Sequence, residues 1–360
     1  MQETIYKKKN ILITIPDLYS KGGVSAFLNS LFEGFENFND IHFIPLEIGG
    51  HGKNILGVIS DQLSLNRLLK ENSNIDLAFL NPSLFIKSFF RDGVFAKQLV
   101  KKDVPFVVFF HGWDLEFEKK IDKRFVNFFL NSFGKAEKIF ILSPDFRDKI
   151  LEWGYRGEII VETTMVENSL LQQNYVSSFN EDKIKILFLS RIVKEKGIFE
   201  MIEAFENISK IIDDIELVIA GDGEDFQELK RRVSDIKNIQ MVGEVRGEEK
   251  ISLFKESDIY CLPSYSEGLP ISVLEAMLFG LPVITTRVGG LKSFFKNEEM
   301  GYLIEPKGID ELEEKMKILI LDRTRRLKMR KFNLKYAQNH LTTSVVTKRI
   351  YKHLKDILEC

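Results

Sequence analysis

Cysteine is nearly absent from this chain: two in 360 residues, Cys261 inside an apolar run and Cys360 at the very end. Two thiols so placed make no disulfide framework, which points to a reducing compartment and so to the cytoplasm. Long apolar runs are missing too, and no uninterrupted stretch approaches the length needed to cross a bilayer. Lys7 to Lys9 followed by Ile11 to Ile15 has the outline of a signal peptide, but the run stops at Pro16-Asp17 and reads as a first strand. Net charge is small: 51 Lys and Arg against 53 Asp and Glu give −2, too weak a field to suggest nucleic acid as a partner. The G-x-G-x-x-G of dinucleotide enzymes is absent as well.

What is present is length and alternation. A chain of this size suits two ordinary domains better than one core. Short apolar runs alternate with helical patterns at Ile11–Ile15, Ile41–Leu46, Ile75–Leu80, Phe106–Phe110, Ile139–Leu142 and Ile159–Val161. The alternation resumes at Ile184–Leu189, Leu217–Ala220, Ile239–Val242, Ile259–Leu262, Val283–Thr285 and Tyr302–Ile304. Runs of this kind are buried parallel strands, so the pattern predicts an α/β protein of two doubly wound, Rossmann-like domains. The polar, aperiodic stretch Thr163–Asp182 suits a connection between them, where a cleft should open. The expected boundaries are 1–165, 166–343, and a final helix 344–360 that periodicity alone cannot dock.

The most informative segment is Ser266-Glu267-Gly268-Leu269-Pro270-Ile271-Ser272-Val273-Leu274-Glu275-Ala276. Gly268 and Pro270 make a turn, Pro270 presets φ for a first helical turn, and the free N–H groups there suit an anion. Glu267 then precedes the helix and Glu275 rides on it, so two carboxylates can face one ligand at different heights. Carboxylates hold neighbouring hydroxyls, as on a ribose or hexose, and a helix N-terminus holds phosphate. The plainer alternative is a solvated loop Glu and a helix Glu in a surface ion pair.

This segment resembles the E-x7-E signature of the retaining glycosyltransferases of family 4, the glycosyl transferases group 1. The resemblance implies that Glu267 contacts a donor sugar and Glu275 the donor ribose, with Gly268, Leu269, Pro270 and Leu274 beside the donor. Further matches follow. Strand Ile184–Leu189 runs into Ser190-Arg191 and then Lys196, in R-I-V-K-E-K-G, and an Arg and a Lys at the carboxyl end of a strand can neutralise a departing diphosphate. A solvated basic loop is the plain reading of that run, and the strand context speaks against it. Gly22-Gly23 precede a helical run at Val24–Phe35 and resemble a family glycine pair that packs against the diphosphate. His111-Gly112 ends strand Phe106–Phe110, where the family's histidine helps position the sugar. Val242-Gly243 matches a place where backbone meets the nucleobase, and Gly221-Asp222-Gly223 reads as structural.

Departures from the family are visible as well. After Val288-Gly289-Gly290 the family's usual Glu is replaced by Lys292, Ser293 and Phe294, and its Asn-Gly link by Glu167-Asn168-Ser169. The resemblance is dense from Ile184 to Tyr302 and thin before Lys138, which leaves the acceptor half undetermined. It implies the GT-B architecture, two Rossmann-like domains facing across a cleft, and a hexosyltransferase that moves a sugar from a nucleotide-diphosphate donor to a glycan or lipid-linked acceptor in polysaccharide or glycolipid assembly. No D-x-D motif ends a strand, so no metal and no cofactor is expected; Arg191, Lys196 and helix N-termini would meet the diphosphate instead. A sugar-nucleotide epimerase of the same shape, or a non-catalytic nucleotide-sugar or glycan-binding module, is the alternative. The segment Leu84–Lys102 mixes Phe85, Ile86, Phe89, Phe90, Val94, Phe95 and Leu99 with Lys87, Arg91, Lys97, Lys101 and Lys102. That composition suits either an anionic inner membrane face or an ordinary amphipathic helix packed on the sheet.

Overall fold

Strands rich in Ile, Val, Leu and Phe, apolar on both faces, are stable only between two layers of helix, and the computed structural model has that layering twice. It describes residues 8–16, 22–49, 55–72, 74–172 and 183–359; Cys360, Lys7, Asp17 and the greater part of the connection after Gln172 lie outside them. The chain divides into two units, Met1–Met165 with Thr343–Cys360, and Val166–Thr342.

The first unit runs β1 (Lys9–Ile15), α1 (Gly23–Phe35), β2 (Ile41–Glu47), α2 (Ile55–Glu71), β3 (Leu77–Leu80), α3 (Ile86–Lys101), β4 (Phe106–Phe109), α4 (Leu115–Lys120), α5 (Val126–Leu130), β5 (Lys138–Ile141), α6 (Pro144–Glu152) and β6 (Glu158–Val161). Its strands form one parallel sheet in the order β2-β1-β3-β4-β5-β6. The second runs β7 (Ile184–Leu189), α7 (Ile198–Ser209), β8 (Ile215–Ala220), α8 (Phe226–Val233), β9 (Ile239–Gly243), α9 (Gly247–Glu256), β10 (Ile259–Leu262), α10 (Ile271–Leu278), β11 (Val283–Thr286), β12 (Gly301–Ile304), α11 (Ile309–Leu321) and α12 (Arg323–His340). Its sheet is also parallel, ordered β12-β11-β10-β7-β8-β9. All the strands expected from the apolar runs are present, with edges moved by at most two residues.

The last helix, α13 (Thr343–Leu358), is part of the first unit. It lies so close to α1 that a Cβ on Gly34 would come within 2.3 Å of Thr347 Oγ1. Tyr351 stacks on Phe38 at 3.9 Å and donates to Asp40 at 2.6 Å, while Arg349 grips Glu162 with two nitrogens. Such bidentate pairing with a buried carboxylate fixes the helix in register as well as in place.

The core of the first unit is strongly aromatic. Phe89, Phe110, Phe129 and Phe133 are fully buried, with Phe133 edge-on to Phe110 and tilted against Phe89 and Phe129, and Trp113 stacks on Phe146 at 4.2 Å. α3 supplies much of this core. Phe89, Phe95 and Leu99 point inward, Arg91 pairs with buried Asp92, and Lys97 lies over the Phe128 ring. Phe85, Ile86 and Val94 stay exposed, so packing accounts for the greater share of this helix's apolar residues.

Candidate active site

Each sheet reverses its strand order once, and in an open parallel sheet the reversal leaves a crevice at the carboxyl ends of the two strands that part. In the second unit that point lies between β7 and β10, which pair directly through Ile259↔Ile186 and Tyr260↔Leu187. The loops leaving these two strands carry Arg191, Lys196 and Glu267.

Lys196 Nζ donates to Glu267 Oε1 at 2.5 Å, and the buried Ser264 hydroxyl donates to the same oxygen at 2.8 Å. Both charged side chains are nearly covered, 13% and 11% exposed. Ser264 is anchored in turn, its carbonyl accepting from Thr286 Oγ1 of β11. Two glycines make the meeting of loops feasible. Gly197, directly after Lys196, has φ +72 and lies so near Pro263 that a Cβ would be 2.1 Å from its carbonyl oxygen. Gly289, with φ +53, approaches the Glu267 carbonyl just as closely, and the Gly290 amide donates to the Gly268 carbonyl at 2.6 Å. Side chains at either position would push the loops apart. Arg191 is exposed at the same sheet edge.

α10 begins at Ile271, and Pro270 does not sit in its first turn as the sequence pattern suggests. Pro270 is the N-cap, in extended conformation (φ −72, ψ 114), and its carbonyl accepts the Val273 amide. A proline there ends the loop and needs no N–H of its own. Glu275 follows in the second turn, 8% exposed, and Lys250 Nζ of α9 donates to its Oε1 at 2.7 Å. Burial raises the Glu275 pKa above the ordinary carboxylate value, Lys250 pulls it back, and Glu167 adds a further push upward. Glu267 and Glu275 are thus engaged by different lysines. Tyr260 of β10 is fully buried, and its hydroxyl donates to the Leu189 carbonyl at 2.9 Å and, its one proton used, accepts from Ser272 Oγ at 2.7 Å. That hydroxyl ties the end of β7 to the start of α10.

The other residues singled out in this unit have smaller parts. The Leu274 side chain is fully buried and Leu269 nearly so, so they support the loop and helix from beneath. Gly268 is half-buried in the loop itself. Val242 and Gly243 end β9, at the far edge of the sheet from the reversal; Gly243 has open space where a Cβ would stand, and its carbonyl accepts the Gly221 amide at 2.7 Å.

In the first unit the reversal lies between β1 and β3. Gly22 is the extended N-cap of α1 and Gly23 its first residue, both exposed, following β1 after a short stretch outside the described residues. His111 follows β4, half-buried, stacked on Phe109 at 4.3 Å and tilted against Phe27 at 4.6 Å. Burial lowers its pKa to about 3, so the ring is neutral at neutral pH. Its tautomer follows from its neighbour. Asn81 Nδ2 donates to the carbonyls of Thr14 (3.1 Å) and Phe79 (3.4 Å), which turns Asn81 Oδ1 toward His111 Nε2 at 2.9 Å. An amide oxygen only accepts, so Nε2 carries the proton and Nδ1 keeps a lone pair.

Asn81, Lys250, Ser264 and Tyr260 were not singled out from the sequence. Asn81 and Ser264 each lie just past an apolar run, the one available signal; Lys250, in E-E-K on a charged helix, gives none.

Residues 172–336 match the family described as glycosyl transferases group 1. Among curated relatives, the putative teichuronic acid biosynthesis glycosyltransferase TuaC of Bacillus subtilis is 28% identical over 220 residues, covering 59% of this chain and 54% of that protein. The chain spans about half the length of the curated relatives it matches. Among solved structures, a sucrose-phosphate synthase from Thermosynechococcus elongatus superposes with a TM-score of 0.79 at 15% identity, covering 98% of this chain and all of that one. The Anabaena protein HepE, solved with UDP and glucose, superposes with a TM-score of 0.71 at 15% identity over 96% and 99% of the two chains. In the sequence of residues 172–336 this chain is similar to the glycosyl transferases of group 1, and the solved structures share its fold.

Proposed function

We propose that the chain is a retaining, metal-independent glycosyltransferase, moving a sugar from a nucleotide-diphosphate donor to an acceptor hydroxyl, with the second unit as the donor unit. The observation that carries this reading is the Lys196–Glu267–Ser264 cluster at the strand-order reversal, followed one helix on by the buried Glu275. Glu267 would accept hydroxyls of the donor sugar and Glu275 those of the ribose. The bond from the anomeric carbon to the diphosphate oxygen breaks with its electron pair going to phosphate, where Lys196 and Arg191 meet the growing charge. The acceptor oxygen bonds to the same face of the sugar and passes its proton to the leaving phosphate oxygen. His111, neutral and with Nδ1 as acceptor, would orient a sugar hydroxyl rather than supply a proton. Gly22 and Gly23 would let backbone approach the diphosphate.

TuaC is named for teichuronic acid biosynthesis and HepE was solved with UDP and glucose; a uridine donor and a cell-surface polysaccharide or glycolipid acceptor are the matching assignment here. No helix among the described residues is long and apolar enough to cross a membrane. Work at an anionic membrane face would rest on the exposed Phe85, Ile86 and Val94 together with the exposed Lys87, Lys101 and Lys102 of the same segment, and flotation with anionic vesicles at low salt tests it, absence of binding refuting it.

A thermal-shift panel of UDP, GDP and ADP, followed by hydrolysis of the corresponding sugar nucleotides, tests the main proposal. A raised Tm with one diphosphate and release of its sugar are expected; no shift with any of them would refute it.

A further inference from the structure

Lys250 has no part in the signature that pointed to the site, yet it is the cation that touches Glu275. Its helix, α9, follows the sheet-edge strand β9, and its ammonium crosses to α10 to meet Glu275 Oε1 at 2.7 Å. The lysine side chain is 28% exposed and the carboxylate 11%, so the anion is the more deeply covered partner. A carboxylate in that position is expensive to keep charged without a cation against it. Other titratable groups reaching it are Glu167, which disfavours its charge, and the buried Tyr260 hydroxyl of β10, which supplies none. Lys250 is the cation that offsets burial at Glu275.

We infer that Lys250 is a positioning residue that holds Glu275 ionised and aimed, so that the carboxylate accepts ribose hydroxyls across the neutral pH range. The inference rests on the donor role proposed for the second unit. A protonated Glu275 would turn one of its oxygens into a donor and lose the charge-assisted bonds to the ribose. Lys250 in this role acts through Glu275 and makes no contact with phosphate.

Two measurements on Lys250→Met, Lys250→Arg, Glu275→Gln and Lys250→Met/Glu275→Gln test this separately from the transferase reading. The first needs no ligand. In Lys250→Met the carboxyl stays buried without its cation, so its folded pKa stands further above the unfolded one, and stability is lost as pH rises toward that folded pKa. The Tm of the double variant should therefore exceed that of Lys250→Met by a margin that widens from pH 5 to pH 8, and Lys250→Arg should remain near wild type. The second is UDP affinity by calorimetry over the same range. The ratio of wild-type to Lys250→Met affinity should grow as pH falls, approaching about tenfold per pH unit below the midpoint, while Lys250→Arg shows no such growth. A Tm margin that does not change with pH overturns the inference whatever the ligand. An affinity reduced equally at every pH also overturns it, since that is the mark of a lysine touching the nucleotide. A widening margin in a protein that binds neither UDP, GDP nor ADP would remove the transferase reading and leave the charge pairing in place.

Discussion

Replacing Lys196 with Met removes the cation from a carboxylate that the fold has nearly covered. Glu267 is 11% exposed and Lys196 13%. Breaking a buried pair by deleting one partner costs about 3–5 kcal/mol, because the other charge is left buried and uncompensated. Here the Ser264 hydroxyl still donates to Glu267 Oε1 at 2.8 Å, and a trace of solvent reaches the pair, which lowers the expected loss to about 2–3 kcal/mol. For a unit of this size that is a fall in Tm of roughly 5–10 °C. Lys196→Met/Glu267→Gln keeps the Ser264 bond and the volume while removing both charges, so it should recover more than half of the loss. Thermal unfolding followed by circular dichroism reads all three proteins. A single variant as stable as wild type, or a double variant no better than the single, would mean that the two side chains are not coupled, and the cluster at the β7–β10 reversal would lose its physical basis.

Three further outcomes follow from the same geometry. Gly197→Ala should cost about 2–4 kcal/mol, adding a clash with the Pro263 carbonyl to the left-handed backbone penalty, whereas Gly243→Ala, with φ +78 and open space around it, should cost only about 1–2 kcal/mol; equal losses in urea unfolding would remove the close approach from the explanation. Glu275→Ala should weaken nucleoside diphosphate binding by roughly 1–3 kcal/mol, and unchanged affinity by calorimetry on the folded variant would end the ribose assignment. His111, lowered from 6.5 to about 3 by burial, favours its neutral form in the folded state; that contribution is complete above pH 6.5 and is lost as pH falls toward 3, at up to about 1.4 kcal/mol per pH unit. His111→Gln should flatten the acid limb of the stability curve between those values, and an unaltered limb would mean that the ring is charged in the folded protein.

The strands were legible because runs such as Phe106–Phe109 and Leu77–Leu80, fully buried along their length, leave few alternatives to a covered parallel sheet. Their order was not, since nothing local in β7 or β10 says that they are neighbours. β5 shows a finer limit. It starts at Lys138, a charge that composition assigns to solvent, and the structure buries that side chain while its ammonium reaches Glu158 at 3.1 Å and Asp356 at 3.4 Å. At the site, Lys196 and Glu267 could each be named from their motifs, but the bond between them spans 71 residues of sequence. Lys250 and Asn81 were invisible for the same reason: a lysine in a charged helix and an asparagine after a strand acquire meaning only when α9 lies beside α10 and β3 beside β4. The Leu84–Lys102 segment read as either membrane-seeking or packed, because amphipathicity states that one face is apolar and not what covers it.

The most direct test of the central claim, that lysine and arginine at the end of β7 take the charge of a departing diphosphate, is turnover of a UDP-sugar, or of whichever sugar nucleotide the binding panel selects, by wild type with and without EDTA and by Lys196→Ala and Arg191→Ala. The account predicts that EDTA leaves sugar release largely intact and that each substitution lowers kcat by on the order of 10²-fold or more, a larger effect than on donor affinity. Activity abolished by chelation, together with Lys196→Ala near wild type, would contradict it.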